Sequence, residues 1–154
     1  MHARLADHFS LAPAAIKAMI ALETAIAASG LDRTLIGFIK LRASQINGCA
    51  YCINMHVEHL RQAGESEMRL HLLSAWREAP LYTARERAVL AWTEALTLLP
   101  QNGASDQDYA EFAGQFSPEE QVTLTLAIGA INSWNRLQVG FRVPPALAES
   151  ENAA

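Results

Sequence analysis

Apolar residues recur at helical spacing along nearly the whole chain, and turn-forming residues cut that pattern into successive segments. The first runs from Pro13 to Ser29 and ends at Gly30, a residue suited to a left-handed C-terminal cap. Asp32 caps the next, in which Leu35, Ile36, Phe38, Ile39 and Leu41 lead to the Asn47-Gly48 turn signal. A third helix is expected to begin at Cys49–Cys52, continue to Ala63 and stop at Gly64. Ser66 opens a short helix reaching Ser74, and Thr83-Ala84-Arg85-Glu86 has the form of a capping box for a helix to Leu98. The stretch from Pro100 to Ser105 reads as a polar loop, followed by a short helix ending near Gly114.

Ser117-Pro118-Glu119-Glu120 is the strongest start signal: a capping serine, proline at the first helical position and glutamate at the third. The helix it opens is expected to run to Val139, before Gly140. Its Val122, Leu124, Leu126, Ile128, Ile131, Trp134 and Leu137 cover more than one face, which predicts a central or interfacial position. No alternating strand pattern bounded by hairpin turns occurs in the sequence. The pattern therefore predicts an all-α, compact single domain over residues 1–154, with its core over about 13–142. The polar tail at 146–154 is expected to fray.

Charge narrows the partners. Twelve Lys and Arg against 16 Asp and Glu give a formal charge of −4 with no basic run, which argues against a nucleic-acid partner. No apolar stretch approaches the ~18 residues of a spanning helix, so no membrane partner is expected. Lys17 and Glu23 interrupt the most apolar early stretch, and residues 1–8 lack the apolar centre of a signal peptide. A reducing cytoplasm is the expected location, where two cysteines serve catalysis or metal binding more often than stapling. The hydrophobic share of 51% and the apolar helices beginning at Pro13 and Pro118 predict a homo-oligomer.

Both cysteines lie in Asn47-Gly48-Cys49-Ala50-Tyr51-Cys52-Ile53-Asn54-Met55-His56. On a helix, Cys49, Cys52 and His56 fall at i, i+3 and i+7, on one face. Two such thiols can close a disulfide reversibly, and a helix N-terminus lowers thiol pKa values. Cys52 is assigned as the activated nucleophile, His56 as its base or charge partner, and Cys49 as the resolving thiol. The reverse order of the cysteines stays open, because the first cysteine of such a motif gains most from the helix N-terminus. A peroxide would turn one thiolate into a sulfenic acid, the second thiol would displace water, and an external dithiol would reopen the disulfide. A zinc site built on Cys49, Cys52, His56 and His59 would draw every ligand from one helix, an awkward route to tetrahedral closure. Neither a metal nor a cofactor is expected.

The run from Leu41 to His56 resembles the AhpD-like alkylhydroperoxidases of the carboxymuconolactone decarboxylase family. Trp76-Arg77-Glu78, the stretch Glu86 to Glu94, and Asn132-Ser133-Trp134-Asn135-Arg136 extend the resemblance over about Asp32 to Arg142. It implies an all-helical oligomer, a trimer or hexamer, with peroxidase or disulfide reductase chemistry. It also implies a lipoyl-type dithiol or another thiol carrier as reductant, without metal or flavin.

One position departs from that family. The relay glutamate that would stand twelve residues before the first cysteine is here Gly37. Glu94 is the candidate replacement, with a structural ion pair as its alternative role. Two functions stay open: a thiol peroxidase or disulfide oxidoreductase acting on small hydroperoxides, and a non-catalytic redox-responsive or metal-binding helical oligomer. Decarboxylase chemistry has no need of adjacent thiols.

Overall fold

The computed structural model of the protein describes residues 2–146. They form nine α-helices and one 3-10 turn, with no strand among the described residues. The helices are α1 (His8–Leu11), α2 (Pro13–Ala27), α3 (Arg33–Ile46), α4 (Ala50–Gln62) and α5 (Glu67–Leu72), then α6 (Ala84–Thr97), α7 (Leu99–Asn102), α8 (Asp106–Ala113) and α9 (Pro118–Gly140). The start signals work as the sequence implies. Asp32 Oδ1 accepts from Thr34 N at 2.8 Å. Thr83, Ser105 and Ser117 each close a capping box on α6, α8 and α9.

Helix α3 organises the packing. Its Phe38, Ile39, Leu41 and Ala43 are wholly buried, and it packs against α4, α6 and α9. On one side, Ile39 joins Val89, Phe112, Leu124, Ile128 and Ile131 in a core shared with α6, α8 and α9. On the other, Phe38 and Leu41 join Leu60, Leu73, Trp76 and Leu90. A helix that is apolar nearly all round must be buried nearly all round, and α3 meets that condition. Helix α9 carries Leu124, Ala127, Ile128 and Ile131 into the first core, while Val122, Leu126 and Val139 remain exposed.

Three local readings change. Residues Leu99–Asn102 form a short helix where a polar loop is expected. Pro100 sits in its first turn, where the missing N–H costs nothing, so proline here marks a helix start. The segment after Ser66 is α helix only to Leu72 and tightens into a 3-10 turn over Leu73–Ala75. Helix α1 precedes the predicted ones and is too short to show periodicity; its His8 is buried, and Arg4 N donates to Phe141 O at 2.7 Å. Of the tail expected to fray, Ala146 accepts a hydrogen bond from Asn54 Nδ2 at 2.9 Å, and 147–154 lie outside the described residues.

A buried polar network ties the α3–α4 turn to α9. Asn47 Nδ2 donates to Asn132 Oδ1 at 3.0 Å and to Asn135 Oδ1 at 2.9 Å. Asn135 Nδ2 donates to Ser44 Oγ at 3.0 Å, and Asn132 Nδ2 to Thr97 Oγ1 at 3.1 Å. The Ser44 carbonyl accepts from Cys49 N at 3.0 Å, closing the helix end, and Gly48 adopts the left-handed conformation this turn needs (φ 64°). Satisfied networks of this kind specify one arrangement, because each group left unpaired in the interior is costly. Asn135→Ala is therefore expected to lower unfolding free energy by about 1–3 kcal/mol, read from the urea midpoint at constant m value.

Candidate active site

The Asn47-Gly48 turn delivers Cys49 as the N-cap of α4, where its Sγ accepts from Cys52 N at 3.3 Å. The two cysteines form a disulfide with their Cα atoms 5.3 Å apart. Both are 1% exposed. Only Cys52 lines the cavity of about 750 Å³ that opens between α2, α3, α4 and α9. Met55 and His56 continue its α4 wall, Gly37 and Lys40 come from α3, and Trp134 from α9. Tyr51 also lines the cavity.

His56 stands one turn beyond Cys52, as the spacing implies, and is buried. Its Nε2 has no hydrogen-bond partner among the described residues. Burial lowers its pKa to about 3, helped by the positive charge of Lys40 and by His59. In the oxidised protein His56 is therefore a neutral imidazole at ordinary pH and not an imidazolium partner for sulfur.

Glu94 is elsewhere. Its Oε1 accepts from Arg42 Nε and Trp76 Nε1, each at 2.8 Å, and its Oε2 from Arg77. Burial alone would raise its pKa, but the hydrogen bonds from Trp76 and Arg42 and the charges of Arg42 and Arg77 outweigh it and hold the carboxyl low. It does not line the Cys52 cavity. The structure thus places Glu94 in the ion pair that was its alternative role and does not bring it to His56. Trp76 and Trp92 are buried anchors, and Trp92 stacks on Phe112 with centroids 5.1 Å apart. Among the described residues, no three His, Cys, Asp or Glu side chains gather as a metal-ligand set.

Gly37 has a packing reason. A Cβ built there would lie 2.6 Å from Leu60 Cδ2 and 3.1 Å from Leu60 Cγ. Leu60 is 3% exposed and packed in the second core, so a larger residue at position 37 requires the Leu60 side chain to shift. Glycine lets α3 pack closely on that side chain.

Sequence reasoning missed the charged pair at this cavity. Lys40 Nζ bonds Glu23 Oε2 at 2.5 Å, and Trp134 Nε1 donates to Glu23 Oε1 at 3.1 Å. The signal was present: Glu23 interrupts an apolar segment, and Lys40 stands between Ile39 and Leu41. A charge inside such a run needs a partner or water, and these two residues supply each other.

A disulfide at the head of a helix, opening on an apolar cavity within an all-helical domain, defines the class of CxxC-bearing helical proteins. Residues 13–95 match the carboxymuconolactone decarboxylase family, and the chain belongs to it. It is AhpD-like in fold. The crystal structure of ATU0492 from Agrobacterium tumefaciens, a protein of unknown function proposed to be the antioxidant defence protein AhpD, superposes with a TM-score of 0.91 and 46% identity. That match covers 96% of this chain and 100% of ATU0492. The uncharacterized protein YdfG of Bacillus subtilis is 39% identical over 135 residues, 88% of this chain and 92% of YdfG. The debrominase Bmp8 shares the fold at 20% identity with a TM-score of 0.78, over 94% of this chain and 77% of Bmp8.

Two outcomes test this geometry. Below its ordinary pKa of 6.5 an unfolded His56 gains a proton that the folded state refuses until about pH 3, so its burial makes stability fall with pH across that interval. The urea midpoint should drop between pH 7.5 and pH 4.5 by more in the native protein than in His56→Asn, and equal drops would contradict a neutral buried imidazole. Gly37→Ala should cost roughly 1 kcal/mol or more, overpacking against Leu60 exceeding the gain in helix propensity. In a Leu60→Ala background the same substitution should stabilise, and additive effects in a double-mutant cycle would contradict the contact.

Proposed function

We propose that this protein is a thiol-dependent peroxidase and disulfide oxidoreductase that reduces small hydroperoxides through a Cys49–Cys52 dithiol–disulfide cycle. The observation that carries this reading is the position of Cys52: it belongs to a closed disulfide and presents to an apolar cavity beside a neutral imidazole. The AhpD assignment proposed for ATU0492 supports it.

The neutral His56 imidazole relays the Cys52 thiol proton toward the departing oxygen in the same step as the sulfur attacks the outer peroxide oxygen, so no imidazolium accumulates. The O–O bond breaks, Cys52 becomes a sulfenic acid, and the leaving alkoxide takes up the proton as an alcohol. Cys49 sulfur then attacks Cys52 sulfur and displaces water, forming the disulfide. An external dithiol of lipoyl type attacks Cys52, the sulfur open to the cavity, and Cys49 departs as the thiolate. That leaving thiolate sits at the N-cap of α4, where the Cys52 N–H and the helix dipole stabilise negative charge. The dithiol leaves as its own disulfide, and two electrons have passed from it to the peroxide. The same arrangement supports disulfide reduction without peroxide.

Gly37 and the tied-down Glu94 favour a second reading, a redox-responsive oligomer without turnover, because neither supplies a proton relay to His56. The exposed Val122, Leu126 and Val139 on α9 support self-association in either case, and the family resemblance implies a trimer or hexamer. The cytoplasm remains the proposed compartment, and no helix among the described residues is long and apolar enough to cross a membrane.

Steady-state reduction of a small alkyl hydroperoxide with dihydrolipoamide separates the two readings. The native protein should turn over many times, Cys52→Ser should be inactive, and Cys49→Ser should accumulate a sulfenic acid trapped by dimedone. A single stoichiometric oxidation with no further consumption would replace the peroxidase by the redox-responsive protein. Equal residual turnover in both variants would remove the roles given to the two thiols.

A further inference from the structure

The walls and charges of the Cys52 cavity are unevenly distributed. Phe9, Ile20, Ile36, Met55, Ile131 and Trp134 make it largely apolar, and Phe9 and Ile20 are 42% and 52% exposed at its open side. Its charged side chains are Arg33 and Lys40 of α3 and Glu23 of α2, and α4 adds the imidazoles of His56 and His59. Glu23 neutralises Lys40 through their ion pair. Arg33 forms no salt bridge with any carboxylate among the described residues and is exposed at the first position of α3. Among the described residues, Arg33 is thus the cavity cation without a carboxylate partner.

Helices α3 and α4 run antiparallel across the short 47–49 connection, with Gly37 against Leu60. Arg33 consequently lies at the end of α3 away from the disulfide, and seven residues separate it from Lys40, roughly 10 Å of helix. Ile20, Ile36, Met55 and Ile131 give the interval its apolar surface, interrupted by the mutually neutralised Lys40–Glu23 pair and by His59. A guanidinium at one end, apolar surface between, and Cys52 with His56 at the other fit a ligand with a matching order of parts.

We propose that this cavity binds amphipathic monocarboxylates, with the carboxylate at Arg33 and the apolar chain running toward Cys52. Guanidinium is the cation best matched to a carboxylate, by its paired donors and its weak hydration. A neutral chain of the same length buries the same apolar surface but leaves Arg33 unused. The charge pattern also predicts a gain. Removing the negative charge of Glu23 frees Lys40 and should strengthen anion binding, whereas removing Arg33 should weaken it. On the peroxidase reading, on which this ligand class rests for its catalytic meaning, the preferred substrates are chain hydroperoxides that carry a carboxylate.

Calorimetric titration of the oxidised protein with decanoate and with decanol tests the inference without turnover. Decanoate should bind about fivefold or more tighter than decanol, the margin of one charge-assisted contact. Arg33→Met should erase that margin while leaving decanol binding unchanged. Glu23→Gln, which keeps an acceptor for Trp134 Nε1, should tighten decanoate binding. Equal affinity for the two ligands, no response to Arg33→Met, or no binding because a second copy covers the opening would each overturn the proposal. Selective decanoate binding without peroxide turnover would retain this site and remove the enzymatic reading; turnover without decanoate selectivity would do the reverse.

Discussion

The burial of α3 on both faces is the constraint from which the rest of the structure follows. A helix with Phe38 and Leu41 on one side and Ile39 and Ala43 on the other cannot lie at a surface. It sets α9 on one flank and α4 on the other, with α6 contributing to both cores, so the turn leaving α3 must reverse direction within 47–49. That reversal puts Cys49 at a helix start, where its sulfur meets the amide of Cys52. The chemistry of the motif is thus a product of packing as much as of sequence spacing. Asn47, Asn132 and Asn135 finish the work by anchoring the turn to α9 in an otherwise apolar setting.

Most of the fold was legible because five helices announce their own beginnings with a capping side chain. Capping residues act within four positions of sequence, so Asp32, Ser66, Thr83, Ser105 and Ser117 could be read without knowing what the helices touch. The same locality made Cys49, Cys52 and His56 visible as one face. Helix α7 was missed because Pro100 has opposite meanings at a helix start and inside a helix, and only the structure distinguishes them. The partners of Glu94 were illegible for a different reason. Its partners Arg42, Trp76 and Arg77 lie 17 to 52 positions away, and no local rule links them. Glu23 and Lys40 were hidden by the same distance, though each was visible as a charge in an apolar run.

Charge around the cavity is arranged to keep its centre uncharged. Lys40 lies close enough to disfavour a protonated His56, while Glu23 binds Lys40 and Trp134 together. Three helices thereby meet at one carboxylate. The imidazole stays proton-poor, the disulfide is buried, and among the described residues Arg33 stands at the margin without a carboxylate partner.

The contact between Gly37 and Leu60 couples the size of one helix face to the shape of the cavity. A side chain at position 37 and the leucine at position 60 compete for one volume, so each position constrains the other. Both also line the cavity, so bulk added on α3 is bulk that Leu60 must yield or the cavity must absorb. A residue with no side chain thereby sets the width of the space in front of Cys52.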